Sequence, residues 1–148
     1  MGVVEELDAH RRIMVDTAPI IYFIEEHPRF GKIVDEIFLA LTSEATYHIF
    51  SSVIALIEVL TQPIREANRE LAEKYRRFLL HSFNFTLYGI DPIIASKAAE
   101  LRAQYNLRTP DAIQLAVGIE NGATLFLTND KTLKKVKEIH VMVLEDYL

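Results

Sequence analysis

The sequence predicts an α/β protein, a three-layer α/β/α sandwich built on a parallel sheet of five strands. Three observations lead to this prediction. Five short runs are rich in residues that favour strands. Between them lie longer segments in which apolar residues recur at helical spacing. One or two helical segments separate each strand from the next, which is typical of right-handed crossovers between parallel strands.

The first half of the chain contains two of the predicted strands. The second of them is followed by Ser51 and Ser52, either of which is a suitable N-cap for the next helix. That helix is predicted to end at Leu60, because Pro63 follows. In order, the elements are strand Arg12–Asp16, helix Pro19–Glu26, helix Arg29–Leu41, strand Tyr47–Phe50, helix Ser52–Leu60 and helix Ala67–Leu80.

The second half of the chain contains the other three strands. Asp91-Pro92 and Thr109-Pro110 each combine an N-cap residue with a proline in the first helical turn. Gly122 ends the second of these helices. In order, the elements are strand Phe85–Tyr88, helix Asp91–Tyr105, helix Thr109–Gly122, strand Thr124–Thr128, helix Lys131–Val136 and strand Val141–Leu144.

The composition limits the classes of function. The chain has 148 residues, of which 50% are hydrophobic and 25% charged, which predicts one folded domain over residues 1–148. The net charge of −5 argues against a protein that holds nucleic acid by bulk positive charge. The absence of cysteine excludes disulfides, zinc fingers and thiol catalysis. The longest apolar runs, such as Val53–Leu60, are too short to span a membrane, and we expect a cytoplasmic protein.

Three aspartates lie where strands end or helices begin. Asp16 directly follows the first strand, and Asp130 follows the fourth. Asp111 lies in the first turn of a helix that Thr109 is predicted to cap, where the helix dipole favours negative charge. Helix capping or the dipole accounts for each of them as well as a functional role does.

Glu58 is a fourth acid, and its surroundings are different. It lies inside the apolar run Val53–Leu60, which predicts a helix that is mostly buried. An unpaired buried carboxylate is costly, so a cation, a metal or an aqueous cleft should compensate it. The alternative is a helix whose one hydrated stripe includes Glu58.

The four acids can meet at one edge of a doubly wound sheet, because ligand sites lie beyond the carboxyl ends of its strands. Four ionised carboxylates in one cleft repel each other and need a cation. Hard oxygen ligands in this number suit Mg²⁺ or Mn²⁺ better than Zn²⁺. Such an ion activates water and neutralises charge during attack on phosphorus. The residues therefore predict metal-dependent phosphoryl chemistry.

The order and spacing of these segments resemble the PIN-domain nuclease family, and especially its VapC-type toxin ribonucleases. The resemblance extends over nearly the whole chain from Ile13 onward. One departure is Ala18, since many members have another small polar residue at this position. The segments that carry the resemblance are Ile13–Thr17, Ser51–Leu60, Thr109–Ala116 and Leu125–Asp130.

The resemblance implies a five-stranded sheet ordered 3-2-1-4-5 and an endoribonuclease that depends on Mg²⁺ or Mn²⁺. It also implies the toxin of a toxin–antitoxin pair, with RNA as substrate and an antitoxin protein as partner. The metal-binding and catalytic acids would be Asp16, Glu58, Asp111 and Asp130. The residues that support them would be Thr17, Thr128 and Asn129.

Apolar helices and surface cations are the candidates for contacts with partners. The apolar helices Pro19–Glu26 and Arg29–Leu41 predict a homodimer surface or a groove for an antitoxin helix. The five histidines lack the helical spacing of a metal site. Candidate cations for RNA, each explained equally well by a solvated surface, are Arg65, Arg69, Lys74, Arg76, Arg77, Arg108, Lys131, Lys134, Lys135 and Lys137.

Three other functions stay open at this point. A phosphatase or phospho-acceptor domain would use Asp16 as a covalent nucleophile, but Ala18 stands where haloacid-dehalogenase phosphatases need a second aspartate. A non-catalytic PIN-like module that binds RNA or protein would need no metal and would tolerate loss of Glu58. A housekeeping RNA-processing nuclease would use the same site as a toxin.

Overall fold

The computed structural model describes residues 2–43 and 46–148 and contains a five-stranded sheet. Neighbouring strands are parallel, in the order β3-β2-β1-β4-β5. The predicted fold class and the implied strand order are confirmed, while a single domain over residues 1–148 stays a prediction. The strands are β1 (Arg12–Val15), β2 (His48–Ser52), β3 (Phe85–Tyr88), β4 (Leu125–Thr128) and β5 (His140–Val143). The helices are α1 (Val3–Leu7), α2 (Thr17–Ile24), α3 (Gly31–Thr42), α4 (Val53–Arg65), α5 (Arg69–His81), α6 (Pro92–Tyr105) and α7 (Thr109–Glu120), with 3₁₀ turns at Lys131–Lys135 and Leu144–Tyr147.

Helices cover both faces of the sheet, because successive side chains of a strand point to opposite faces. Ile13 and Val15 of β1 lie in the core formed with α1 to α5. Met14, between them, lies in the core formed with α6 and α7. Ile49 and Phe50 of β2 divide in the same way. The result is the predicted succession of helices, sheet and helices.

Local capping explains where several helices begin. The Asp91 carboxylate accepts a hydrogen bond from the Ile94 amide at 2.8 Å, as the Asp91-Pro92 signal predicts. The Ser52 hydroxyl accepts one from the Ile54 amide at 3.1 Å. The helix that Asp91 caps, α6, ends at Asn106, whose φ of 55° places it in the left-handed region.

Beyond shifts of one or two residues at element ends, the structure departs from the sequence predictions in four places. The short helix α1 was not predicted, because five residues carry too little periodicity, although Val3 and Leu7 are buried. Helix α4 continues through Pro63 to Arg65 instead of ending at Leu60. Pro63 is buried, and packing of a helix outweighs the loss of one backbone bond at a proline. The segment after β4 forms a 3₁₀ turn where a short helix over Lys131–Val136 was expected, and a second 3₁₀ turn, which was not predicted, follows β5.

The carboxyl ends of the central strands meet at one edge of the sheet. Val15 of β1 is in register with Leu127 of β4. The Asp16 amide donates to the Leu127 carbonyl at 2.9 Å, which brings the chain after β1 beside the chain after β4. Helix α4 starts at the same edge, directly after β2.

Among the described residues, none of the helices is long and apolar enough to cross a membrane.

Candidate active site

A hollow of about 470 Å³ opens at the carboxyl end of the sheet. Its lining brings together elements that are far apart in the chain: the start of α2, the middle of α4, the start of α7 and the segment after β4. All four predicted acids line it, namely Asp16, Glu58, Asp111 and Asp130. The lining also includes the three predicted supporting residues, Thr17, Thr128 and Asn129, and the cation of Arg108.

Both carboxylate oxygens of Asp16 are hydrogen-bonded in this hollow. One of its carboxylate oxygens accepts a hydrogen bond from the Thr17 amide at 2.8 Å, so Asp16 is also the N-cap of α2. The other oxygen accepts from the Thr128 hydroxyl at 2.7 Å. Burial raises the pKa of Asp16 to about 6, the two hydrogen bonds oppose the rise, and the nearby charges of Asp111 and Glu58 add to it. Asp16 therefore caps α2 and also lines the hollow.

Glu58 lies on the exposed face of α4, which corrects the prediction of a mostly buried helix. The apolar run around it is not buried on all sides, because Ile57 is 61% exposed. The Glu58 carboxylate accepts a hydrogen bond from the Thr17 hydroxyl at 2.7 Å. The hydrated stripe of α4, which was the alternative explanation, thus includes Glu58 and leads into the hollow.

Asp111 forms an ion pair at the rim of the hollow. The Nε atom of Arg108 donates to its carboxylate at 3.1 Å, and the side chains are 77% and 16% exposed, respectively. A hydrogen bond and the charge of Asp111 raise the pKa of Arg108, and the charges of Asp130 and Glu58 contribute to the same rise. Arg108 itself occupies the N-cap position of α7, so the prediction that Thr109 caps this helix was wrong.

Asp130 follows β4 and caps the 3₁₀ turn that comes next. Its carboxylate accepts from the Thr132 amide at 2.9 Å and from the Thr132 hydroxyl at 2.7 Å. The Asp130 amide donates to the Thr128 hydroxyl at 3.1 Å. Because Thr128 also donates to Asp16, one buried hydroxyl links the two acids that follow β1 and β4.

Asn129 lines the hollow but bonds away from the acids. Its side-chain amide donates to the Tyr22 hydroxyl at 3.2 Å. Its side-chain carbonyl accepts from the Glu145 amide at 3.0 Å. It therefore fastens α2 to the turn after β5, and it contributes to the wall of the hollow more than to the acid cluster.

Two buried polar residues behind the hollow were given no role at the site from the sequence. Ser52 and Gln114 are 0% and 1% exposed, and their side chains are hydrogen-bonded to each other. Gln114 also donates to the Thr17 hydroxyl at 3.2 Å. The signal was present in the sequence, because Gln114 interrupts an otherwise apolar run of α7 just as Glu58 interrupts that of α4.

The predicted cations for RNA have different surroundings. Lys131 pairs with Glu145 at 3.2 Å, and Lys134 pairs with Asp146. Arg69 and Arg76 of α5 line a separate hollow of about 580 Å³ beside Pro63. Of the candidate cations, Arg108 and Lys131 line the acidic hollow.

The chemistry of this donor set fits a hard divalent cation. It consists of carboxylates and hydroxyls, which are the oxygen ligands that such ions prefer. Within residues 2–43 and 46–148, no three side chains of His, Cys, Asp or Glu are gathered around one point that could hold a metal ion. Asp111 is paired with Arg108, and Asp130 accepts a hydrogen bond from Thr132.

Comparison with known proteins places this arrangement in a family. The family model described as PIN domain matches residues 13–139. The chain belongs to the PIN domain family. No curated protein matches this PIN domain in sequence. The alternative of a phosphatase with Asp16 as nucleophile rested on a different α/β family, and the match to the PIN model stands against it.

Solved structures show the same fold at low sequence identity. A VapBC complex from Rickettsia felis, bound to a DNA fragment from its promoter, has a TM-score of 0.70 at 17% identity and covers 89% of this PIN domain and 98% of its own chain. A toxin–antitoxin complex from Klebsiella pneumoniae has a TM-score of 0.65 at 23% identity, covering 89% and 97%. A VapC toxin from Mycobacterium tuberculosis that cleaves the sarcin-ricin loop has a TM-score of 0.63 at 17% identity, covering 77% and 86%.

Proposed function

We propose that this PIN domain is an endoribonuclease that depends on Mg²⁺ or Mn²⁺ and acts as the toxin of a toxin–antitoxin pair. The observation that carries the proposal is the hollow shared by Asp16, Glu58, Asp111 and Asp130. The pKa of Asp16 is raised mainly by burial, with smaller contributions from the charges of Asp111 and Glu58, and a carboxyl shifted in this way in a hollow is typical of a functional site. Membership of the PIN domain family and the toxin structures with the same fold support it.

The four acids would hold the ion, and their present partners suggest how each is prepared. Thr128 and the Thr17 amide fix both oxygens of Asp16, while the Thr17 hydroxyl orients Glu58. When bound, a divalent ion supplies a more acidic water and positive charge beside the phosphate. Arg108, with its exposed guanidinium, is placed to contact an RNA phosphate at the rim once Asp111 turns inward.

The test is cleavage of a structured RNA by the purified protein with Mn²⁺. We expect the wild type to cleave, and Asp16→Asn to lose activity by about 100-fold or more, since metal catalysis supplies several kcal/mol. Asp91→Asn is the matched control, because Asp91 is also an N-cap aspartate but lies outside the hollow. Equal cleavage by the wild type and by Asp16→Asn would refute the nuclease assignment.

Calorimetric titration with Mn²⁺ separates the enzyme from a non-catalytic module. An enzyme should bind the ion at the hollow, and Asp16→Asn should weaken that binding. A module that only holds RNA or protein should bind no ion there and should tolerate loss of Glu58.

The antitoxin partner is supported by complexes of the same fold from Rickettsia felis and Klebsiella pneumoniae. On this PIN domain, an apolar groove of about 570 Å³ lies between α3, α5 and β3, where Leu39 and Phe83 are 71% and 79% exposed. The toxin role is tested by a small adjacent reading frame, whose product should bind the protein and block cleavage. If no such product inhibits, a housekeeping RNA-processing role takes precedence. The homodimer and the cytoplasmic location stay predictions.

A further inference from the structure

Gln114 places a primary amide in the apolar core beside the acidic hollow. Its side chain is 1% exposed, and its neighbours Ala112, Leu115 and Ala116 in α7 are buried apolar residues. A buried amide is costly unless both its carbonyl and its NH₂ group are hydrogen-bonded. An apolar side chain of similar size would avoid that cost, so the polarity at this position needs an explanation.

The hydrogen bonds around Gln114 run in one direction. The Thr17 hydroxyl has one proton, and it donates this proton to Glu58 at 2.7 Å. The Thr17 oxygen must then accept from the Gln114 NH₂ group, which lies at 3.2 Å. On the other side, the Ser52 hydroxyl accepts from the Ile54 amide and donates to the Gln114 carbonyl. We call the side chains of Ser52, Gln114 and Thr17 the relay.

The relay ends on a carboxylate that has little else to hold it. Glu58 is exposed on α4, and Thr17 is its hydrogen-bond partner among the described residues. A free glutamate side chain samples many rotamers, and ordering it costs conformational entropy. A buried chain of donors that ends on Glu58 reduces this cost before any ligand arrives, because its members strengthen one another.

We propose that Gln114 is a positioning residue for Glu58, which it holds toward the acidic hollow through the Thr17 hydroxyl. The inference rests on the proposed function, in which Glu58 is a metal ligand. Gln114 itself touches neither the ion nor the RNA. Its effect should therefore appear as weaker metal binding and slower turnover, with the KM for RNA unchanged.

The first experiment compares Gln114→Leu with Asn121→Leu. Asn121 is a matched control, because its carboxamide lies at the end of the same helix and donates only locally, to the Val117 carbonyl at 2.8 Å. We expect Gln114→Leu to weaken Mn²⁺ binding and lower kcat by about 10-fold to 100-fold, the usual effect of losing a partner behind a metal ligand. Asn121→Leu should change neither. Mn²⁺ affinity at the wild-type level in Gln114→Leu would overturn the inference.

Gln114→Glu gives a sharper test that keeps the size of the side chain. As a neutral acid, glutamate at this position donates to Thr17 and accepts from Ser52, as glutamine does. Once ionised it can only accept, so the Thr17 proton turns toward it and away from Glu58. The ratio of variant to wild-type Mn²⁺ affinity should then fall as the pH rises. A simple charge effect predicts the opposite, because an added carboxylate attracts a cation. A ratio that rises or stays constant with pH would overturn the inference.

A measurement without metal separates this inference from the proposed function. Crystal structures of the ion-free wild type and of Gln114→Leu should show Glu58 on Thr17 in the first and released in the second. If Glu58 keeps its contact with Thr17 in Gln114→Leu, the relay does not position it. If the wild type binds no Mn²⁺ but Glu58 is released in Gln114→Leu, the metal proposal fails while the positioning role stands.

Discussion

Burial shifts pKa values at the two ends of the sheet in opposite directions, because it disfavours the ionised form of an acid and the protonated form of a histidine. At the carboxyl end, four acids line one hollow, and burial raises the pKa of Asp16 to about 6. At the amino end, His10 precedes β1, and His48 and His140 begin β2 and β5. There, burial lowers the pKa of His10, helped by the charge of His140 and opposed by that of Glu6. Burial also lowers the pKa of His48, helped by the charge of Arg12.

The difference lies in how each end satisfies its polar groups. At the amino end, His10 shares a hydrogen bond with Thr124 at 2.8 Å and stacks on His140, which pairs with Glu6. In the part of the chain that the structure describes, His48 Nε2 is a buried nitrogen with no partner, so adding a proton there is unfavourable. His10 and His48 therefore favour their neutral forms at the amino end. The carboxyl end is stable when Asp16 is neutral, and it keeps like charges together at neutral pH.

The largest expected effect on the free energy of unfolding comes from removing the charge of Asp16. The folded pKa of about 6 lies above the ordinary value of 3.8, so the folded state binds the proton more tightly. This stabilisation is complete below the ordinary value and is lost as the pH rises through about 6. Asp16→Asn should stabilise the ion-free protein by about 3 kcal/mol at neutral pH, and asparagine still caps α2.

Chemical unfolding in the presence of a chelator, between pH 4 and 8, measures this effect. The gap between Asp16→Asn and the wild type should open between the ordinary value of 3.8 and about 6. A variant that is less stable than the wild type at neutral pH would show that the ionised Asp16 carboxylate does not destabilise the folded state.

Proton competition for the ion is the next effect in size. If Asp16 must ionise to hold Mn²⁺, the affinity should rise about 10-fold per pH unit below its pKa and level off above it. Calorimetry in two buffers of different ionisation enthalpy should detect the released proton near pH 5.5. An affinity that does not vary between pH 5 and 7 would contradict a role for this carboxyl.

Replacing Arg108 should have a smaller effect, which strengthens Mn²⁺ binding and weakens RNA binding. Arg108→Ala removes the cation that holds Asp111 at 3.1 Å. Because this pair is exposed, we expect Mn²⁺ to bind only about two- to fivefold more tightly. RNA binding without metal, measured by fluorescence anisotropy, should weaken and lose part of its salt dependence. Arg102→Ala, a change in α6, serves as the control for loss of a cation.

The amino end should yield the smallest effect. Glu6→Gln breaks the pair with His140 and should lower the free energy of unfolding by less than about 1 kcal/mol, because surface pairs contribute little. The loss should shrink in 1 M salt, and cleavage of RNA should not change. Loss of cleavage in Glu6→Gln would mean that the two ends are coupled.

The sequence was most informative where long-range geometry follows from simple rules. Parallel strands align their carboxyl ends, so the positions of Asp16 and Asp130 after strands sufficed to bring them near each other. The strand order itself came from the resemblance to PIN-domain nucleases and not from periodicity. The Asp91-Pro92 pair correctly predicted an N-cap from local sequence alone.

Features that depend on three-dimensional neighbours were not predictable in this way. The exposure of Glu58 depends on which side of α4 faces the sheet, and an apolar run does not reveal that side. The link from Ser52 through Gln114 to Thr17 joins three distant parts of the chain. Likewise, the resemblance implied that Asn129 supports the acids, and its hydrogen bonds to Tyr22 and Glu145 could not be foreseen from the sequence.

The pairing of β1 with β4 has a consequence for synthesis of the protein. Ile13 of β1 lies beside Leu125 of β4, so β1 can pair with its second neighbouring strand only after most of the chain has been translated. Asp130 follows β4 and is the last of the four acids to emerge from the ribosome. A nascent chain shorter than this holds at most three of them. The complete acidic hollow therefore arises only after translation has passed β4.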